Sequence, residues 1–424
     1  VAEKLPYLAD LGVEALYLNP VFTSTANHRY HTVDYFQVDP VLGGNPALRH
    51  LLERAHSLGI RVILDGVFNH SGRGFFAFQH LLENGEKSPY RDWYRVHGFP
   101  LNAYGGAPNY EAWWGNPELP KFNHQNPQVR AYLLEVAEHW VRFGIDGWRL
   151  DVPNEIGDLE FWRAFRRRVK MANPEAYLVG EIWEEAQEWL QGDIFDATMN
   201  YPLARALLGF ASGEDLDRNL AAQSGLGPLE PLQALAFSHR LERLFGLYRE
   251  EVVQSQLNLL TSHDTPRLLA LLRGHRARAR LALSLLFLLP GSPMVYYGEE
   301  IGMEGGHDPE NRAGMVWEEE RWDRDLWERV RRMARLRKEF PELRTAPYAR
   351  VYAVDGHLAF ARGRLLVVAN ATPEPFAQDL PLHGLWPRGG EAEDLLSGAR
   401  ARVEGGRLKG PPLPPFEVAV WREV

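Results

Sequence analysis

Four segments of this chain share one design: an apolar, strand-like run that ends on an acid or a histidine as it gives way to a loop. They are Gly147-Trp148-Arg149-Leu150-Asp151, Leu178-Val179-Gly180-Glu181-Ile182-Trp183, Leu260-Thr261-Ser262-His263-Asp264 and Val62-Ile63-Leu64-Asp65-Gly66-Val67-Phe68-Asn69-His70. Near-continuous apolar runs mark strands buried on both faces of a parallel sheet. The C-terminal ends of such strands are where a barrel carries its reactive groups. Two carboxyls and a third acid placed this way suit an enzyme that breaks glycosidic bonds.

The rest of the chain agrees with a parallel α/β architecture. Buried-type strands read at Val13–Asn19, Arg61–Phe68, Ile145–Val152, Ala176–Ile182, Phe195–Met199, Leu257–Ser262 and Met294–Tyr297, with amphipathic stretches between several of them. Asn45-Pro46 and Asn126-Pro127 each offer a capping residue before a proline at the first helical position, and Gly59 and Gly144 offer left-handed ends. Repeated βα units predict a (β/α)8 TIM barrel. Only seven strands are legible, and Val1 to Leu11 reads as a helix whose apolar face (Val1, Leu5, Leu8, Leu11) packs on the barrel wall. The expectation is therefore that the first strand lies upstream of this sequence, with a seven-stranded or open barrel as the alternative.

Two stretches break the rhythm. From Ser71 a long segment rich in glycine and aromatics, with Trp93, Tyr104, Trp113 and Trp114, reads as a subdomain (71–122) inserted after the third strand and forming one wall of the site. From 345 to 424 short strand-like runs between Gly and Pro turns predict a C-terminal antiparallel β-sandwich, leaving 1–344 to the barrel domain.

At 424 residues, 45% hydrophobic and 24% charged, the chain is that of a folded globular protein. A net charge of −9 gives no electrostatic reason to expect a nucleic acid or an anionic membrane as partner. No apolar run reaches the roughly 18–20 residues that span a bilayer, Leu281 to Pro290 being too short. The opening residues show no signal peptide, so the expected location is cytoplasmic. The absence of cysteine excludes disulfides and thiolate metal sites. Arginine outnumbers lysine among the basic residues, a skew shared by thermophiles and by GC-rich genomes.

Glycoside cleavage passes through an oxocarbenium-like state, which needs negative charge beneath the ring and an acid beside the leaving oxygen. Asp151 and Arg149 lie two residues apart on a strand and so share a face, where the guanidinium would keep Asp151 ionised as a nucleophile. Glu181, flanked by Ile182 and Trp183, is expected in an apolar setting that raises its pKa, as suits a general acid. Asp264, His70 and His263 could bind sugar hydroxyls. Any one of these features is commonly an ordinary ion pair or a rim polar group; their conjunction in four strand ends is what points to a site.

The segments DGVFNH, GWRLDVPNE, GEIW and TSHD resemble the four signature regions of the α-amylase family of glycoside hydrolases (family 13). GVEALYLNP, LPKFN and GSPMVYYGEE are also similar to family segments. The resemblance covers essentially the whole chain. It implies a retaining double displacement with Asp151 as nucleophile, Glu181 as acid/base and Asp264 as transition-state stabiliser, with Tyr30, His70, Arg149, His263 and Trp183 around the sugar. Asp65 and Asn69 would shape the strand end. Asn154-Glu155 and Gly305-Gly306-His307-Asp308-Pro309-Glu310-Asn311-Arg312 resemble the neopullulanase, cyclomaltodextrinase and maltogenic amylase branch. There Glu155 would lie on the leaving-group side, and Asp308 and Arg312 near the next sugar inward. Two departures stand out: Pro153 replaces the branch's usual alanine, and the branch's N-terminal β-sandwich is not in this sequence. Substrate size and the choice between monomer and homodimer therefore stay open.

The implied substrates are malto-oligosaccharides, pullulan or cyclodextrins, through α-1,4 and some α-1,6 cleavage. An α-glucosidase or oligosaccharide transglycosylase of the same family, and a non-catalytic glucan-binding member, are the alternatives. The chemistry needs no cofactor. Structural calcium in the branch sits near the first strand, and its usual ligands are not in this sequence.

Overall fold

A computed structural model describes residues 1–424. The chain divides into two compact units, Val1–Ile182 with Ala186–Thr198, and Trp183–Glu185 with Met199–Val424.

In the first unit five parallel strands pair in chain order: β1 (Ala15–Leu18), β4 (Arg61–Gly66), β5 (Gly147–Leu150), β6 (Tyr177–Gly180) and β7 (Ala197–Thr198). Between β1 and β4 the chain makes an antiparallel pair, β2 (Phe22–Ser24) with β3 (Thr32–Val38), which the apolar pattern did not announce. Register is what matters for function. Asp65 lies level with Arg149, and Arg149 level with Val179. Asp151 and Glu181 each follow one residue beyond the Leu150–Gly180 pair, so they leave neighbouring strands at the same height. Strand alternation then turns Asp65, Arg149, Asp151 and Glu181 to one side. Gly147 lets β5 and β6 come this close, since a Cβ there would stand 2.2 Å from the Tyr177 carbonyl oxygen.

The helix Pro127–Phe143 starts and stops as expected. The Asn126 side chain accepts from the Gln128 and Val129 amides, and Gly144 ends the helix at φ 122°. The earlier helix, Gly44–Ser57, differs: Gly43 caps it without a side chain. Asn45 instead accepts from the Val38 amide and donates to the Phe36 carbonyl, tying the end of β3 to the helix. An asparagine side chain can satisfy either partner, and here the neighbouring strand wins. At the start, the helix Leu5–Leu11 buries Leu5 and Leu11, whereas Val1 precedes the helix and is 68% exposed. The strand β1 pairs on one side with β4, and Ala15 is exposed rather than buried.

The 71–122 stretch holds together through aromatic packing more than through backbone ladders. Phe75, Phe78, Trp93, Tyr94, Tyr110 and Phe122 are all buried, with isolated antiparallel bridges at Tyr94–Phe122, Val96–Tyr110 and Ala112–Pro120.

The second unit continues the strand–helix alternation with Tyr201–Ser212, Ala234–Gly246, β8 (Leu257–Asn258), Arg276–Leu288, β9 (Ser292–Pro293) and Arg324–Glu339. β8 and β9 pair in parallel, and Met199 bridges Leu257 in the same sense. Six of the seven expected parallel strands form within their expected bounds, as in a TIM barrel. The last one is displaced: β9 ends at Pro293 instead of running through Met294–Tyr297. Tyr296 and Tyr297 leave the sheet because their hydroxyls donate to the Asn311 and Ala313 carbonyls and Arg267 lies over both rings.

The C-terminal part is one eight-stranded antiparallel sheet. It runs β10 (Tyr348–Val354), β11 (His357–Arg362), β12 (Leu365–Asn370), β17 (Glu417–Glu423), β14 (Gly390–Asp394), β15 (Arg400–Glu404), β16 (Arg407–Lys409), β13 (Asp379–Pro381). Its first and last strands approach each other, so the sheet nearly closes around a core of Leu366, Val368, Leu380, Trp386, Leu408 and Trp421. Buried Arg362 hangs this sheet on the helices by donating to the carbonyls of Leu288, Leu343 and Ala346. No helix is long and apolar enough to cross a membrane.

Candidate active site

The register of β4, β5 and β6 delivers three carboxyls to one buried guanidinium. Arg149 Nη1 lies 3.0 Å from both Asp65 oxygens and 3.1 Å from Asp151 Oδ1, and Nη2 lies 2.7 Å from Glu181 Oε1. Arg149 is fully buried, and Asp151 and Glu181 are nearly so. Burial pushes the guanidinium pKa down, but the Asp65 and Glu181 carboxylates and the Tyr17 and Tyr30 hydroxyls outweigh it, and Arg149 titrates well above its ordinary value. Asp65 is in turn the acceptor for the Tyr17 hydroxyl at 2.8 Å and the Tyr30 hydroxyl at 2.9 Å. Asp65 therefore anchors Arg149, and Arg149 sets the positions of Asp151 and Glu181.

Glu181 does not sit in the apolar setting read from Ile182 and Trp183. Its Oε1 meets Arg149 and its Oε2 accepts the Val152 amide at 3.1 Å. Strand alternation turns Ile182 to the other side, and the Trp183 ring packs on Tyr201.

That Val152 amide has an unusual origin. Val152 adopts φ 34°, ψ 52°, a left-handed conformation that is an outlier for a β-branched residue. Strain of this kind costs about 1–3 kcal/mol. Val152→Gly is expected to melt no lower than the wild type while losing turnover, because glycine tolerates the conformation but no longer enforces it. Thermal melts with initial rates check this; unchanged turnover would mean the backbone here does not position Glu181.

His70 follows β4 and is buried. Burial pushes its pKa down to about 3, with neighbouring His31 adding to the fall and the Tyr30 backbone opposing it only in part. Asn69 Nδ2 lies 3.2 Å from His70 Nδ1, and Nε2 has no hydrogen-bond partner. A neutral ring that accepts at Nδ1 carries its proton on Nε2. Trp113 stacks on the ring at 5.6 Å. Glu155 sits in the short helix Pro153–Glu155, its main-chain carbonyl accepting from Lys121 Nζ at 2.6 Å.

The second unit holds the remaining candidates. His263 Nε2 lies 3.0 Å from Asp264 Oδ2, and Arg312 Nη2 lies 3.2 Å from Asp264 Oδ1. Arg312 Nε and Asn311 Nδ2 both donate to the His263 carbonyl, so the segment after the 305–309 loop clamps the loop that carries Asp264. Asp308 is 61% exposed at its side chain and 3.9 Å from Arg312. Trp183 is packed against Tyr201, ring centroids 3.6 Å apart, and against Gly225, where a Cβ would meet the indole at 2.5 Å.

Tyr17, Val152 and Asn311 escaped the sequence reading. Tyr17 stood in the GVEALYLNP segment, two residues from the strand end and facing as Asp65 does, a signal that could have found it. No group of three or more His, Cys, Asp or Glu side chains is gathered as for a metal ion.

Buried Glu299 accepts from the Thr261 hydroxyl and the Leu268 amide. Burial pushes its carboxyl from 4.5 up to about 7. Between those values the folded protein keeps a proton that the unfolded chain has lost. Its stabilising contribution is therefore complete below 4.5 and lost as the pH rises through about 7. Urea midpoints are expected to fall between about pH 5 and pH 8, and Glu299→Gln to flatten that fall. Equal slopes would assign the titration elsewhere.

Residues 1–339 match the family described as alpha amylase, catalytic domain, and residues 348–422 match the neopullulanase-like C-terminal domain. A cyclomaltodextrinase of Geobacillus thermopakistaniensis (strain MAS1) is 42% identical over 99% of this chain and 69% of its own length. Neopullulanase 2 of Thermoactinomyces vulgaris is 44% identical over 81% of this chain and 56% of its own. The crystal structure of Ttha1563 from Thermus thermophilus is 76% identical, with a TM-score of 0.99 over 100% of this chain and 89% of that one. The alignments thus span 56% to 69% of the length of these two curated relatives.

Proposed function

The chain belongs to the α-amylase family of glycoside hydrolases, and from that premise we propose that it cleaves α-1,4 glucosidic bonds, with some α-1,6 cleavage, in malto-oligosaccharides, pullulan or cyclodextrins. The reading takes 1–344 as the catalytic domain, 71–122 as its inserted wall and 345–424 as the β domain, in a cytoplasmic protein. The observation that carries it is the cluster in which one guanidinium holds Asp151 and Glu181 side by side.

In the first step an Asp151 oxygen attacks the anomeric carbon while Glu181 gives its proton to the departing glycosidic oxygen. The glycosidic bond breaks and a glycosyl ester forms on Asp151. Water then enters, loses a proton to Glu181 and attacks the same carbon. The ester bond breaks, Asp151 leaves as carboxylate, and the sugar keeps its α configuration. Asp264 would stabilise the distorted sugar, and His70 would donate Nε2–H to a hydroxyl. No step requires a cofactor.

Wild-type protein incubated with maltotriose, pullulan and a cyclodextrin, with the first-formed anomer followed by NMR, tests this. The α-anomer and turnover of the polymer or the ring are expected. Turnover of maltotriose alone would favour the α-glucosidase reading. The β-anomer, or no turnover of any of the three, would overturn the proposal.

A further inference from the structure

Asp264 stands between two buried neighbours. His263 is 2% and Thr265 1% exposed, while the Asp264 side chain is 31% exposed. Its carboxylate is a tip whose place depends on the main chain behind it. That main chain belongs to neither a strand nor a helix, since β8 ends at Asn258 and the next helix is Leu268–Leu271. Its polar groups therefore need partners from elsewhere. One buried amide meets two of them. Asn311 Nδ2 donates to the His263 carbonyl at 2.8 Å and to the Thr265 carbonyl at 2.9 Å, using both of its hydrogens on the residues that flank Asp264. The peptide group that enters Asp264 is thus held at both ends, its oxygen by Asn311 and its N–H by Ser262 Oγ at 3.2 Å. Asn311 is itself held, for the Tyr296 hydroxyl donates to its carbonyl at 3.2 Å and Arg267 lies 4.7 Å from the centre of the Tyr296 ring. Asn311 Oδ1, by contrast, is buried without a hydrogen-bond partner. An unmade bond of that kind costs stability, so what the side chain contributes here is its donors.

We propose that Asn311 is a positioning residue, acting on the reaction only through Asp264 by fixing the main chain from which that carboxylate projects. This rests on the glycosidase reading above, in which Asp264 stabilises the distorted sugar. Arg312 acts on the charge of Asp264, with Nη2 3.2 Å from Oδ1, whereas Asn311 acts on the backbone beneath it. Stabilisation that is realised only in the transition state raises kcat and leaves ground-state binding nearly untouched. A misplacement of about 1 Å at such a group costs on the order of 10²-fold in rate. The displaced end of β9 gains a purpose in this arrangement. By leaving the sheet, Tyr296 reaches the Asn311 carbonyl and keeps the amide in place under Asp264.

The test is a double-mutant cycle on kcat with 4-nitrophenyl α-maltoside in the full chain, pairing Asn311→Leu with Asp264→Asn. Leucine keeps the volume and removes both donors. In the wild-type background Asn311→Leu is expected to lower kcat about 10²-fold, with KM within about threefold. In the Asp264→Asn background the same change should cost less than about threefold, because no carboxylate is left to misplace. A smaller folded fraction would lower both backgrounds alike. Equal losses therefore overturn the proposal, as does a loss under about threefold in the wild-type background. If Asn311→Leu does not fold, Tyr296→Phe takes its place, with a fall of about fivefold to tenfold expected and the same dependence on Asp264. The wild-type arm tests the glycosidase reading by itself, since no turnover there is the failure of that reading. Amide hydrogen exchange over residues 260–268 then judges the positioning separately. Faster exchange in the variant supports the hold on Asp264 even in an inactive protein, and unchanged exchange removes it even in an active one.

Discussion

Asp151→Asn is expected to lower kcat by roughly 10⁴-fold or more while leaving the fold intact. An amide cannot form the glycosyl ester, so the first displacement has no acceptor for the sugar. The fold should survive because asparagine keeps the size of aspartate and its side-chain oxygen can still accept from Arg149 Nη1, which now lies 3.1 Å from Asp151 Oδ1. Circular dichroism and melting should match the wild type, and KM should change less than kcat. A variant keeping more than about a tenth of wild-type turnover would take Asp151 out of the nucleophile's role.

The largest structural effect is expected from Arg149→Leu. Removing one partner of a buried ion pair commonly costs about 3–5 kcal/mol, because the remaining charge is stranded. Here three carboxyls would be stranded together. Urea denaturation should show that loss at neutral pH and a partial recovery in mild acid. In the variant the carboxyls prefer their neutral form when folded, so stability is present at low pH and lost as the pH rises. Turnover should vanish. Arg149→Lys is expected to rescue little, since an ammonium cannot span Asp65, Asp151 and Glu181 as the planar guanidinium does. A loss under about 1 kcal/mol would mean that the cluster is held by packing and not by this charge.

The sequence reading succeeded where chemistry follows from local spacing. Arg149 and Asp151 had to share a face, and strand ends had to carry the acids, because strand periodicity admits no other arrangement. Asn126, directly before a proline, caps its helix as expected. The failures share another cause. Asn45, Tyr17 and the surroundings of Glu181 depend on which strand lies alongside and at what height, and register between distant segments is not written in either segment alone. The displacement of β9 has the same origin, as Tyr296 and Tyr297 answer to carbonyls at Asn311 and Ala313. Val152 was hidden differently: backbone strain has no composition signature, and the residue reads as an ordinary strand valine.

Arg362 bears on how such a chain could be taken apart and reassembled. Its guanidinium, pushed down to about 9 by burial and by the neighbouring Arg337, belongs to β11, yet every carbonyl it serves lies in the helical part of the second unit or its exit loop. The C-terminal sheet is therefore not a cassette that hangs from a linker. It shares the capping of helix ends with the preceding segment, whose Arg337 also donates to the Leu343 carbonyl and whose Gln254 donates to the Ala346 carbonyl. A sheet transplanted from a relative would have to bring an arginine at the same height. Otherwise the Leu288 carbonyl would lose its side-chain donor, and the Leu343 and Ala346 carbonyls one donor each, so recombination at this boundary is constrained by this side chain as well as by the overall match of the two folds.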